Sequence, residues 1–252
     1  MKEDISKALR TMSSSDKKEL YASYTTVDNK FCDVENILLY NIGSGAFTNI
    51  CVSAFCIERG YGNVPNPQMP HQYKYELVDT ADFVIHRPLK PFAEWKGNVL
   101  SANDIKVSNL KASFFWNYIK KSDVKVFDNE YTDNEKYGIE ISIEAPHIIN
   151  LTSIIKPLLD GVICAFHQQD EKIFMTDKTL LKRLSNEIGE KNSIKEYLLD
   201  NKFNIFGKCD LVKSYRNGIK WNPADHLCDA IKLRTSPGKS WKIDGRIFSI
   251  TK

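Results

Sequence analysis

Polar residues gather where the hydrophobic period changes between Tyr137 and Ile173. Asn150 and Thr152 stand at the change, Lys156 and Asp160 follow four apart, and Asp170 and Glu171 are adjacent further on. Metal-dependent phosphodiester cleavage needs clustered hard oxygens that hold Mg²⁺, stabilise developing charge and generate hydroxide. Asp160, Asp170 and Glu171 carry oxygens of that kind. Each position also has a purely structural reading. Asn150 is a good helix N-cap, with Thr152 or Ser153 in the first turn. Lys156 and Asp160 can form a weak i,i+4 ion pair, and Asp170-Glu171 can be a solvated helix end. The residues narrow the function to a class without fixing the reaction.

Other patterns are shorter. Asp82 followed by Glu94-Trp95-Lys96 fits the letters of a restriction-type nuclease site, although two prolines between them make the required strand pairing awkward. His226 and Cys228 lie beside Asp225 and Asp229, a set that would bind a transition metal only if Cys209 came close, and no usual zinc spacing is present. The six cysteines, at 32, 51, 56, 164, 209 and 228, form no CxxC pair and read as free thiols in a reducing compartment. Neither G-x-S-x-G, a Walker motif nor G-x-G-x-x-G occurs, and Gly43-Ser44-Gly45 reads as a turn.

Basic and aromatic residues interleave near the C-terminus, at Lys213, Tyr215, Arg216, Lys220, Trp221, Lys232, Arg234, Lys239, Trp241, Lys242 and Arg246. Cations neutralise phosphates and exposed rings stack on bases, so the mixture suits a nucleic-acid surface. From Lys202 to Lys252 there are eleven Lys or Arg against four Asp, whereas the whole chain carries only +3. A solvated basic face is the plain alternative, and Trp221 and Trp241 are expected in the core. A hydrophobic content of 42% and a charged content of 27% are those of a globular chain. The first twenty residues lack the apolar core of a signal peptide and no run of about eighteen apolar residues occurs, so the expected location is the cytoplasm, with no membrane partner.

The elements that must position these groups follow from periodicity. Ile139, Ile141 and Ile143 alternate with Glu140, Ser142 and Glu144 as a half-buried strand. Apolar residues from Ile154 to Phe166 follow helical spacing, with Pro157 expected to kink the helix. Residues 1–24 suggest one short helix with Leu9, Leu20 and Tyr21 available for docking. Ile37 to Tyr61 suggests a hairpin turning at Gly43–Gly45. HQYKYELV reads as a strand, ADFVIHRPLKPFAEWKG as extended chain, LKASFFWNYIKK as a helix and residues 123–136 as a charged loop. Beyond Thr176 and Asp177 a helical stretch, interrupted at Gly189, ends near Leu199. FGKCDLVKSY, a turn at Arg216-Asn217-Gly218 and IKW give a hairpin. NPADHLCDAIKLRT is a short helix or, in its second half, a strand, and Asp244-Gly245 signals another hairpin. The whole predicts one α+β domain, a mixed sheet with packed helices over 1–252, in which 1–75 form an extension and hairpin, 76–175 a central unit and 176–252 a helix plus basic hairpins.

The order of elements from about Phe83 to Ile173 resembles the RusA-type Holliday-junction resolvases: a strand with proline and basic residues (FVIHRPLKP), a helix containing Trp116, a strand, then a helix after a polar junction and an acidic pair. The resemblance implies a RusA-like central unit in which Lys156, Asp160, Asp170 and Glu171 are the catalytic residues. It also implies Mg²⁺ as cofactor if the site is active, with Asp160, Asp170 and Glu171 as its ligands, and a homodimer. The family's junction reads Asp-x-Asp, where this chain has Asn150 and Thr152, so a degenerate, non-cleaving descendant is implied as readily as an active enzyme. The expected function is DNA or RNA binding, with Lys213, Arg216, Lys220, Lys232, Arg234, Lys242 and Arg246 on the phosphates. Two alternatives stand beside it: a protein–protein interaction subunit of a defence or mobile-element complex, and an active Mg²⁺-dependent structure-selective endonuclease.

Overall fold

Tyr137, Ile139, Ile141 and Ile143 of strand β6 (Tyr137–Ala145) are buried, while Ser142 between them is exposed and Glu140 and Glu144 partly so. This alternation gives the sheet one apolar face, on which helix α3 (Leu151–Ala165) lies. The computed structural model describes the chain except residues 13–17, 28–31, 48, 51, 63, 65, 67, 102–104, 106–109, 128–130, 133, 148, 190–192 and 252. Helix α3 starts at Asn150, whose Oδ1 accepts from the Thr152 backbone N–H at 3.1 Å and from the Thr152 hydroxyl at 2.7 Å. The helix runs unbroken through Pro157 to Ala165.

Helix α2 (Ala112–Lys120) crosses α3 at Gly161. A Cβ on Gly161 would stand 2.4 Å from the Ala112 carbonyl oxygen and 2.6 Å from Phe115 Cβ. Only glycine lets the two backbones approach this closely.

The remaining strands of the large sheet are β1 (Glu19–Thr26), β2 (Ala54–Tyr61), β3 (His71–Val78), β4 (Pro88–Lys96), β5 (Asp123–Val126), β11 (Cys228–Pro237) and β12 (Lys242–Ile250). They stand in the order β3-β1-β2-β11-β6-β12-β4-β5, with β1–β2 and β11–β6 parallel and the other pairs antiparallel. The sheet is mixed and the protein is α+β, as the sequence predicts. Two short pairs lie apart: β7 (Gln168–Gln169) with β8 (Lys208–Cys209), and the hairpin of β9 (Val212–Tyr215) and β10 (Gly218–Trp221). The smaller helices are α1 (Lys2–Thr11), α4 (Ile173–Thr176), α5 (Leu180–Ile188), closed by Gly189 at φ +78°, and α6 (Ile194–Leu199). One apolar core extends from Leu9 to Ile247.

Several expectations need correction. Leu20 and Tyr21 lie on β1 inside the sheet, not on an N-terminal helix. The expected hairpin over 37–61 is a π-helical turn (Asn36–Tyr40), a 3₁₀ turn (Ser44–Phe47) and then β2, because a short apolar run does not by itself distinguish helix from strand. Residues 123–126 pair with β4 as an edge strand instead of looping. Asp244-Gly245 forms no turn: β12 passes straight through it, and Gly245 is needed because a Cβ there would meet the Trp95 ring at 2.3 Å.

The other face of the sheet carries a cross-strand row, Lys232–Glu140–Arg246–Glu94–Lys125, in which the sign alternates from β11 to β5. Nearer β1, residues 81–86 cross this face. Their backbone N–H groups at Val84, Ile85 and His86 all donate to the carboxylate of the fully buried Glu58, at 2.8 to 3.2 Å, and the Tyr21 hydroxyl donates to it at 3.0 Å. Four donors satisfy a charge that would be prohibitively costly to bury alone.

Gly161→Ala is expected to lower stability by about 1–3 kcal/mol, since the backbone of α2 and the Phe115 side chain must move to admit one methyl group. A shift of the urea midpoint to lower concentration checks this; an unchanged midpoint would show that the crossing is looser than described.

Candidate functional site

The i,i+4 pair on α3 is real, and it is half of a larger cluster. Lys156 Nζ lies 3.0 Å from Asp160 Oδ1, 2.6 Å from Asp225 Oδ2 and 3.6 Å from Glu35 Oε2. Asp225 opens a 3₁₀ turn, Asp225–Leu227, held in place where Tyr137 Oη donates to the Ala224 carbonyl at 3.0 Å and Lys136 Nζ donates to the His226 carbonyl at 3.0 Å. Glu35 immediately precedes the π-helical turn and is 3% exposed. Asp33 also interacts with Asp225, and it accepts a hydrogen bond from Asn36 Nδ2. Three carboxylates from three distant stretches therefore surround one ammonium, with Asp33 near enough to Asp225 to act on it.

Burial, resisted by Lys156 and reinforced by Asp160, Asp225 and Asp33, pushes the Glu35 carboxyl up to about 7. Burial likewise raises Asp160 to about 6 against the pull of Lys156. Burial and the neighbouring Asp225 raise Asp33. For Lys156, burial opposes the ammonium, but Asp160, Asp225 and Glu35 outweigh it and the pKa stands above that of an ordinary lysine. Glu35 Oε1 is buried and has no hydrogen-bond partner. Carboxyls poised near neutrality beside a fixed cation have the properties of proton donors and acceptors.

Of the four residues expected to be catalytic, the structure brings together Lys156 and Asp160 only. Asp170 Oδ1 accepts from the Lys172 backbone N–H at 3.0 Å in a turn beyond β7, and Glu171 continues that turn. Neither has a hydrogen bond or ion pair with Lys156 or Asp160. Among the described residues no group of three His, Cys, Asp or Glu is arranged to hold a metal ion. The donor set does not fit Mg²⁺ in this arrangement, because the Lys156 ammonium already lies between the carboxylates that would ligate it. Glu35 and Asp33 carry no motif spacing that marks them in the sequence, and Asp225 stands out there only beside His226 and Cys228, not with Lys156.

The other candidates disperse. Asp229 accepts from Tyr61 Oη at 2.8 Å and faces Lys136, away from Asp225. Cys209 Sγ lies 3.6 Å from His167 Nδ1. Burial raises that thiol to about 11 and lowers that imidazole to about 4, so the pair is neutral and carries no thiolate nucleophile. Asp82 pairs with Lys232 at 2.8 Å, and Glu94 faces Arg246 across β4 and β12.

The seven basic residues divide into two groups. Lys232 is bound to Asp82, Arg234 to Glu19 at 3.1 Å, Lys242 to Asp244 at 2.6 Å and Arg246 to Glu140 at 2.6 Å. Lys213, Arg216 and Lys220 have no carboxylate partner among the described residues. Lys213 and Lys220 are directly opposite each other on the β9–β10 hairpin, and the Arg216 guanidinium lies 5.2 Å from the centroid of the Tyr215 ring, which is 49% exposed. Arg183 Nη1 fixes the turn by donating to the carbonyls of Arg216 at 2.5 Å and Gly218 at 3.1 Å, and Trp221 packs on the fully buried Trp116 with ring centroids 5.5 Å apart. Trp241 is fully buried in the core.

Two measurements test the cluster. Lys156→Met leaves its carboxylates uncompensated and is expected to cost about 3–5 kcal/mol at pH 8, a deficit that shrinks toward pH 5 as the carboxyls take up protons. In the native chain, Glu35 has a folded pKa of about 7 against an ordinary 4.5, so its stabilising contribution is complete below about pH 4.5 and is lost as pH rises through 7. That loss is on the order of 3 kcal/mol. Glu35→Gln should flatten the decline between pH 5 and 8 in urea melts; an undiminished slope would place the titration elsewhere.

Comparison with protein-family models, with curated proteins and with solved structures finds no match to this chain.

Proposed function

We propose that the protein binds nucleic acid through the β9–β10 hairpin without cleaving it by metal-assisted hydrolysis. The supporting observation is the Lys213–Lys220 pair. Like charges directly opposite on a sheet are destabilising, whereas the four basic residues Lys232, Arg234, Lys242 and Arg246 on β11 and β12 each pair with a carboxylate. An unmatched pair beside a third cation and an exposed ring gains stability when phosphates neutralise the charge and a base stacks on Tyr215. The hairpin is anchored to Arg183 and Trp116, so little ordering is required on binding.

The non-cleaving part of the proposal rests on Lys156. Its ammonium occupies the cation position among Asp160, Asp225 and Glu35, where a nuclease would need a divalent ion. In this reading the RusA-like order of elements is a scaffold and its polar junction a structural joint. No helix among the described residues is long and apolar enough to cross a membrane.

Purified protein titrated with labelled four-way junction, duplex and single-stranded DNA and RNA should bind at 50 mM salt and weaken steeply with added salt. Replacing Lys213 and Lys220 together by Glu should weaken binding at least tenfold. Mutating both to Ala should reduce the slope of log K against log salt by about 1.4 to 1.8. An absence of binding to all of these would overturn the proposal in favour of a protein-interaction subunit. Cleavage in Mg²⁺ or Mn²⁺ that is abolished by EDTA would overturn its non-cleaving part.

A further inference from the structure

The large sheet ends on one side in β5, four residues long, and on the other in β3, eight residues long. Strand β3 pairs with β1 along its whole length, from His71 opposite Thr26 to Val78 opposite Glu19. Among the described residues no strand pairs with its other side, and no residue of β3 is buried. A straight edge of this length offers a row of backbone N–H and C=O groups to another chain. Such edges are usually blunted by proline, by a bulge, by shortness or by unmatched charge. Residues 71–78 contain no proline and no bulge, and Lys74, their one lysine, is neutralised by Glu76 at 2.9 Å.

The sequence of this edge is complementary to itself. Counted outward from Tyr75, residues 71–79 (HQYKYELVD) set Lys74 against Glu76, Tyr73 against Leu77, Gln72 against Val78 and His71 against Asp79. Charge is inverted across that centre and apolar character is kept. A two-fold interface places the same patch of both copies in contact, so it demands this kind of inversion. In an antiparallel pair centred on Tyr75, Lys74 of each copy faces Glu76 of the other, and both residues are about half exposed and free to do so. On the opposite face Tyr73, Tyr75 and Leu77, half-buried against the core, meet Leu77, Tyr75 and Tyr73 of the second copy and carry the apolar face past the edge. A strand from an unrelated protein would gain the same backbone hydrogen bonds but would need its own Glu and Lys, two apart and in register, to match both charges.

We propose that the protein self-associates through β3, two copies pairing antiparallel about Tyr75 so that their large sheets join as one. The inference rests on the edge alone and is separate from nucleic-acid binding, because the β9–β10 hairpin is not part of the large sheet.

An interface built on one strand pair is at the small end of the known range, which sets the expected Kd at roughly 10–100 µM. Sedimentation equilibrium of the full chain across that range should show a monomer–dimer transition. Lys74→Glu and Glu76→Lys each put like charges opposite one another twice per dimer, and each should weaken association at least tenfold. Mixing the two variants should restore association, because each then presents the charges that the other lacks. The double variant Lys74→Glu with Glu76→Lys reverses both charges on one chain and should associate like the parent, which separates a loss through charge from a loss through misfolding. A parent chain that stays monomeric, single variants that associate unchanged, or a mixture and a double variant that both fail to recover would each overturn the proposal.

Discussion

A half-buried ammonium set among buried carboxylates must be matched by them, and the position of Lys156 imposes that demand on distant parts of the chain. Helix α3 supplies one partner, Asp160, from its own next turn. The others come from Glu35, ahead of the sheet's second strand, and from Asp225, just before β11. The π-helical turn and the 3₁₀ turn are thereby fixed against the same helix. The site and the topology are one solution: moving either turn would strand a charge in the interior.

Much of the central architecture is legible in the sequence because it is written in local periods. The alternation of isoleucines in β6, the helical spacing of α3 and the cap at Asn150 need only a short window, and the hairpin at Arg216 announces itself through its turn residues. The N-terminal third is different. Leu20 and Tyr21 belong to a strand whose neighbours are residues 54–61 and 71–78, and nothing near them in sequence reveals that pairing. The candidate site is half legible for the same reason. Lys156 and Asp160 are visible as a helical pair, whereas Glu35 and Asp225 join them only through the tertiary fold. Asp244-Gly245 misleads in the opposite direction: the glycine answers a steric demand from Trp95 and makes no turn.

Charge is used in two ways. On the outer face of the sheet, register sets Lys232 and Arg246 on either side of Glu140; Arg246 pairs with Glu140 on the neighbouring strand and Lys232 with Asp82 of the segment that crosses the face. At the β9–β10 hairpin the same residue types are opposed to one another. Composition treats these cations alike, and cross-strand register separates them.

The strand order has a consequence for how the molecule is made. Strand β2 is flanked by β1 and β11, and β6 by β11 and β12, so the two strands that complete the middle of the sheet are the last of it to be synthesised. Until residue 228 and those after it emerge, β2 presents a buried-type, apolar edge with open backbone donors and acceptors, and β6 presents two. From residue 126 to residue 228 the nascent chain therefore holds two unjoined sheet fragments, β3-β1-β2 and β4-β5, accompanied after residue 145 by β6 as a lone strand. Those open edges are the places where pairing with another chain competes with completion of the sheet.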